Sequence, residues 1–156
     1  MSDEQFLKRA IELAREHSAG GINGPFGAVI VKDGEVVGEG WNRVVETNDP
    51  TAHAEVTAIR DACGNLKNFS LEGCTLYSSC QPCPMCMSAL YWARIGRLVY
   101  AATKDDAAAV GFDDARILDE IRLPDAGKRI AVVHLPLDEA LLVFQEWSGN
   151  QKRVMY

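Results

Sequence analysis

Apolar residues recur at helical spacing from the start of the chain. Phe6, Leu7, Ala10, Ile11, Leu13 and Ala14 predict an amphipathic helix over residues 3–17. Gly20-Gly21-Ile22-Asn23-Gly24-Pro25 breaks it. Gly27–Val31 and Glu35–Gly38 then flank Asp33-Gly34. Asp-Gly suits a two-residue turn that needs positive φ, so a β-hairpin is expected. Asn48-Asp49-Pro50-Thr51 reads as a helix start, with a capping side chain and an early proline. Val56, Ile59, Ala62 and Leu66 carry that helix to about residue 66.

Thr75–Ser78 reads as a strand, Pro84–Arg94 as a short apolar helix and Arg97–Ala101 as another strand. This alternation predicts βαβ units and a sheet covered by helices. Residues 104–127 are mixed, with Gly111, Asp113 and Asp114 in a loop. Ile130–His134 is expected as a further strand and Leu137–Trp147 as a helix, ahead of a polar tail ending Val154-Met155-Tyr156. No repeat, low-complexity stretch or linker interrupts the pattern. The simplest account is one α/β/α domain over residues 1–156.

Composition narrows the function classes. The 156 residues are 47% hydrophobic and 24% charged, ordinary for a soluble globular chain. No apolar run approaches the about 20 residues of a membrane helix. The acidic start Ser2-Asp3-Glu4 lacks the basic-then-apolar form of a signal peptide, so a cytoplasmic location is expected. The net charge of -6 and pI near 5.0 argue against nucleic acid as the main partner. Five cysteines, an odd number, argue against a disulfide framework, and three of them fall within seven residues.

That cluster points to metal. Cys83 and Cys86 are three apart at a predicted helix start, where sulfurs converge and the helix dipole favours thiolates. His53 would add a third ligand, leaving the fourth tetrahedral position open, as in catalytic zinc sites. Sulfur and imidazole donors select zinc over magnesium or calcium. Glu55, two residues from His53, is placed to move a proton at that open position. The alternative is a closed Cys3His site including Cys80, in a zinc-stabilised binding module without chemistry. Cys80 follows a strand and Pro82 separates it from the helix, so it reads as a packed small hydrophobe.

His53-x-Glu55 followed by Pro82-Cys83-x-x-Cys86 is the pairing of zinc nucleobase deaminases. The sequence accordingly resembles the cytidine and deoxycytidylate deaminase superfamily. Gly40-Trp41-Asn42-Arg43 and Asp49–Glu55 are similar to tRNA adenosine deaminases. Asp49–Ile59, Pro25–Gly34, Tyr91-Trp92-Ala93-Arg94, Ala107 through Gly111-Phe112-Asp113-Asp114, Phe144-Gln145-x-Trp147 and Tyr156 are similar to bacterial guanine deaminases. That resemblance covers essentially the whole chain. One departure is Gln81, where many members have Glu before the Pro-Cys pair.

The resemblance implies a three-layer α/β/α fold with a mixed, mostly five-stranded sheet and one zinc per subunit on His53, Cys83 and Cys86. It implies that Glu55 shuttles protons while guanine is hydrolysed to xanthine and ammonia. Phe26 would stack on the purine, Asn42 would bond its edge and the Ala54 backbone would contact it. Trp92 and Phe112 would line the pocket. Asp114 would read guanine's donors and help ammonia leave. The C-terminal segment would cross into the partner of a homodimer, bringing Tyr156 to its pocket. Five of these residues also have a plainer reading: Phe26 and Trp92 as core, Asn42 as a turn residue, Asp114 as the cap of a helix near Ala115, and Tyr156 as a loose terminus. Competing substrates are guanosine, cytosine, a triazine amine and tRNA adenosine.

Overall fold

In the computed structural model, which describes residues 2–156, Asp33 and Gly34 take φ of 51° and 82°. They close the expected hairpin between β1 (Gly27–Lys32) and β2 (Glu35–Trp41). β1 pairs on its other side with β3 (Thr75–Cys80), again antiparallel. β3 runs parallel to β4 (Arg97–Ala102), with α4 (Pro84–Trp92) as the crossover. The sheet is mixed, with order β2-β1-β3-β4.

The expected fifth strand at Ile130–His134 does not form; among the described residues the sheet has four strands. An apolar, β-branched run makes an extended segment favourable. A strand also needs a partner ladder, which that run does not find here.

Period-two alternation in β1 shows why both sheet faces are covered. Val29 and Val31 face α1 (Asp3–Ser18), packing with Ala10 and Leu13 and with Phe6 and Tyr77 respectively. Ala28 and Ile30 face the other way, onto Ala54, Ala58 and Ala62 of α3 (Ala54–Leu66) and Leu90 of α4. Helix, sheet and helix make three layers. The first turn of α1 is tied to the sheet by Asp3, whose carboxylate accepts from Tyr77 and Arg97.

β2 carries glycine where α3 crosses it. A Cβ on Gly38 would lie 2.6 Å from the Ala62 nitrogen, and one on Gly40 would meet the Ala54 oxygen and Ala58 nitrogen. Glycine below and an alanine stripe above bring helix and strand into backbone contact. This fixes the start of α3, where His53 and Glu55 sit.

The helix begins later than its sequence signal. Val44–Thr47 forms a single turn, α2, which Asn48 ends at φ 52°. Asp49 Oδ1 accepts from the Thr51 nitrogen at 2.8 Å and the Thr51 hydroxyl at 2.6 Å, so the capping chemistry closes a local turn. His53, not Asn48 or Asp49, is the N-cap of α3.

After β4, Thr103 caps α5 (Lys104–Ala109) reciprocally with Asp106. The residues group into two compact units, the first ending at Asp114 and the second being Ala115–Tyr156. The second contains α6 (Ala115–Arg122), a 3-10 turn at Asp125–Gly127 and α7 (Asp138–Gly149). Within it, the Arg129 amide donates to Glu120 at 2.9 Å and Lys128 pairs with Asp125. None of its described side chains is buried.

Candidate active site

Two helix N-termini converge on one point. His53 caps α3 and Cys83 caps α4, with Pro84 at the first helical position, where a missing N–H costs nothing. Cys86 lies three residues on, so both sulfurs face the end of α3. His53 Nδ1 is 3.6 Å from Cys83 Sγ and 3.5 Å from Cys86 Sγ. All three ligand atoms lie within 4.8 Å of one another. Tetrahedral zinc, with bonds of about 2.3 Å to sulfur and about 2.0 Å to nitrogen, would separate S and N by about 3.5 Å. The residues therefore fit zinc in spacing as well as donor type, and they leave one coordination position open.

One ligand is already poised as a thiolate. The Cys83 thiol is pulled down to about 4, first by the hydrogen bond with Cys86 and also by His53 beside it. Cys86 is pushed up, because it keeps the proton that the pair shares. His53 is raised, mainly by its bond to Cys83. Cys80 stands outside this cluster: its sulfur faces the Thr103 carbonyl at 3.4 Å, and burial raises its pKa. The closed Cys3His arrangement is not formed. Gln81, the departure from the common Glu, accepts from the Lys104 amide at 3.3 Å and donates its own amide to Ala102. It secures the loop ahead of Cys83 to the end of β4.

Glu55 is only 7% exposed, in the first turn of α3, and burial raises its carboxyl above the ordinary range. The buried Ser78 hydroxyl donates to Glu55 Oε1 at 3.2 Å. The sequence reading had no role for Ser78. Its signal was present in the alternation of β3, which puts Ser78 on the α3-facing side with Leu76. Thr57 was missed too: its hydroxyl reaches the Trp41 carbonyl at 2.9 Å and the His53 carbonyl at 2.7 Å, linking the end of β2 to the metal-binding turn.

The remaining expected residues are distributed as follows. Gly24 lies between Phe26 and Asn42; a Cβ there would be 3.2 Å from one and 3.3 Å from the other. Phe26 meets Phe112 edge to face at 4.9 Å. Asn42 is buried, and its Oδ1 accepts from the amides of Gly24 and Val44, both at 3.3 Å. Ala54 is buried as the first residue of α3. Asp114 is half-buried, and burial, together with the charge of Cys83, raises its carboxyl. Trp92 ends α4 and is 71% exposed. Tyr156 ends the second unit and is exposed.

Residues 1–102 match the cytidine and deoxycytidylate deaminase zinc-binding region. Guanine deaminase of Bacillus subtilis is 54% identical over 156 residues, covering all of both chains. The X-ray structure of guanine deaminase from Bacillus subtilis superposes with a TM-score of 0.97 at 52% identity, over 100% of this chain and 99% of that one. A tRNA-specific adenosine deaminase of Aquifex aeolicus is 40% identical over 94% of each chain. No helix among the described residues is long and apolar enough to cross a membrane. With its zinc-binding region matched and its ligands converged, this chain belongs to the cytidine and deoxycytidylate deaminase family of zinc hydrolases.

Proposed function

We propose that the protein hydrolyses guanine, exchanging its exocyclic amine for a water oxygen to give xanthine and ammonia. The observation that carries this reading is the end-to-end similarity to guanine deaminase of Bacillus subtilis. Bound zinc supplies the Lewis acid that makes water nucleophilic near neutral pH. Glu55 takes the proton that water gives up, passes it to the ring nitrogen beside the reacting carbon, and assists a second transfer to the departing amine. Its burial suits this, since raising the carboxyl above its ordinary range makes it a better proton acceptor.

Phe26, edged by Phe112, offers a flat face for the purine. With Asn42 Oδ1 occupied by two backbone amides, its amide nitrogen is the group presented to an acceptor on the base. The Ala54 backbone completes the pocket, and Trp92, exposed at the opposite end of α4 from Cys83, is the remaining proposed contact. Asp114 accepts from guanine's donors and takes part in ammonia release.

The protein is further proposed to act as a homodimer that exchanges its C-terminal segments, each Tyr156 closing the other subunit's pocket. Support comes from the second unit, which carries Ile130, Val133, Leu135, Leu142 and Phe144 without burying any of them. It comes also from the open edge at β4 and the exposed Tyr91. Cys83 and Cys86 must stay unoxidised to hold zinc, which suits a reducing compartment, and the cytoplasm is the proposed location, in guanine catabolism.

The relative from Aquifex aeolicus keeps tRNA adenosine as a second reading, which the net charge of -6 disfavours. The deciding experiment measures ammonia release by the zinc-loaded protein from guanine, guanosine, adenine, cytosine and an adenosine-containing tRNA stem-loop. Turnover of guanine supports the reading. Turnover of another substrate alone transfers the same chemistry to that substrate.

A further inference from the structure

We propose that Ser78 is a positioning residue for proton transfer: its hydroxyl holds one oxygen of Glu55 and thereby assigns the other to the moving proton. The proposal rests on Glu55 being the proton carrier.

Ser78 occupies a place where a serine is costly. On its face of β3 it follows Leu76, and across the ladders it pairs with Ala28 and Tyr100. It is 2% exposed. A hydroxyl in such a row is unfavourable unless it is hydrogen-bonded. Ser78 donates to Glu55 Oε1 at 3.2 Å, and both residues are buried.

The Glu55 carboxyl also bonds its own backbone amide and meets Cys86, a metal ligand, so Ser78 is the sheet's donor to it and biases which oxygen does what. A carboxylic acid has one carbonyl-type oxygen, which accepts, and one hydroxyl oxygen, which carries the proton. A donor fixed on Oε1 makes that atom the acceptor through the cycle and leaves Oε2 as the seat of the proton. It also stops rotation of a side chain with three flexible torsions. α3 is seated on β2 and Ser78 lies on β3, so the bond spans two elements and sets the carboxylate against the sheet. Proton transfer is sensitive to such placement: a shift of about 1 Å costs on the order of a hundredfold in rate.

The test compares wild type, Ser78→Ala and Ser78→Thr on whichever base the wild type turns over, reading kcat, KM and bound zinc. Failure of guanine alone therefore removes the substrate reading and leaves the Ser78 comparison intact. The expected result is a fall of about ten- to a hundredfold in kcat for Ser78→Ala. KM and zinc content stay at wild-type values, and Ser78→Thr regains most of the rate. A Ser78→Ala enzyme at wild-type kcat overturns the proposal. So does a loss of zinc or a raised KM accompanying the fall, since that marks a structural role. A threonine variant no faster than the alanine one overturns it as well. A wild type inactive on every base removes the proton carrier and this proposal together.

Discussion

Gly40 lies against Ala58 with no room for a side chain between them. A Cβ on Gly40 would meet the backbone nitrogen and Cα of Ala58 as well as the Ala54 carbonyl. Strand and helix are thus in direct backbone contact one turn from His53. The metal-binding turn is held by rigid neighbours, and distortion at Gly40 reaches the zinc ligands.

Gly40→Ala is therefore expected to destabilise the protein by about 1–3 kcal/mol and to weaken zinc retention. Gly64→Ala provides the contrast. Gly64 is in the same helix with nothing within 4 Å of its added Cβ, and alanine there should stabilise by about 0.5–1 kcal/mol. Urea denaturation of both variants checks the pair. Equal effects would mean that the close approach does not hold α3.

Glu55→Gln keeps the shape of the side chain and removes the proton carrier. The expected result is a fall in kcat of about 10²–10⁴-fold with zinc content unchanged. Metal analysis beside single-turnover kinetics separates the two. Near-wild-type turnover would end the assignment of Glu55.

Zinc removal should abolish activity, and cobalt replacement should report the ligands. Cys83 and Cys86 both face His53, while Cys80 faces Thr103. Cobalt spectra are expected to count two thiolates, to keep that count in Cys80→Ser and to lose one in Cys83→Ser. A spectrum altered by Cys80→Ser would restore the closed site.

The cysteine ligands were legible in the sequence because they sit at a helix start that leaves its own mark, and His53 because it stands two residues before Glu55. Pro84 announces α4, and the short spacing of Cys83 and Cys86 survives any detail of packing. The hairpin was legible for a similar reason, since Asp33-Gly34 demands positive φ. Two features that the chain did not reveal depend on partners distant in sequence, and a third on a competing local turn. Ser78 and Glu55 meet only through the seating of β3 against α3. Ile130–His134 has the composition of a strand, but composition cannot supply the ladder it needs. Asp49 and Thr51 carried a helix-cap signal, and the same oxygen served a tighter turn nearer at hand.

Asp3 gives a pH prediction. Its carboxyl is held far below the usual range, first by its hydrogen bond with Arg97 and then by Tyr77. A folded pKa below the unfolded value near 3.9 gives stabilisation that is complete above that value. It is lost as pH falls toward the folded pKa. Wild type should therefore lose stability more steeply than Asp3→Asn below about pH 4. Both groups are exposed, so the difference should be small and should shrink in high salt. Urea midpoints across that range check it, and parallel curves would remove Asp3 from the account of acid stability.

Exchange of the C-terminal segments predicts complementation between two dead chains. Glu55→Gln disables the site of its own chain but keeps an intact tail. A chain lacking residues 152–156 keeps Glu55 but has no Tyr156 to give. Each homodimer should be inactive. In a mixed dimer with exchanged tails, the truncated chain's site receives the tail of the Glu55→Gln chain and is complete. Random assembly after co-expression makes half the dimers mixed, with one working site in two, so about a quarter of wild-type activity should return. If each tail closes its own subunit, every site in the mixed dimer lacks either the carboxylate or the tail. Dual-tagged purification followed by an ammonia assay distinguishes these cases, and a pure mixed dimer without activity would rule out the exchange.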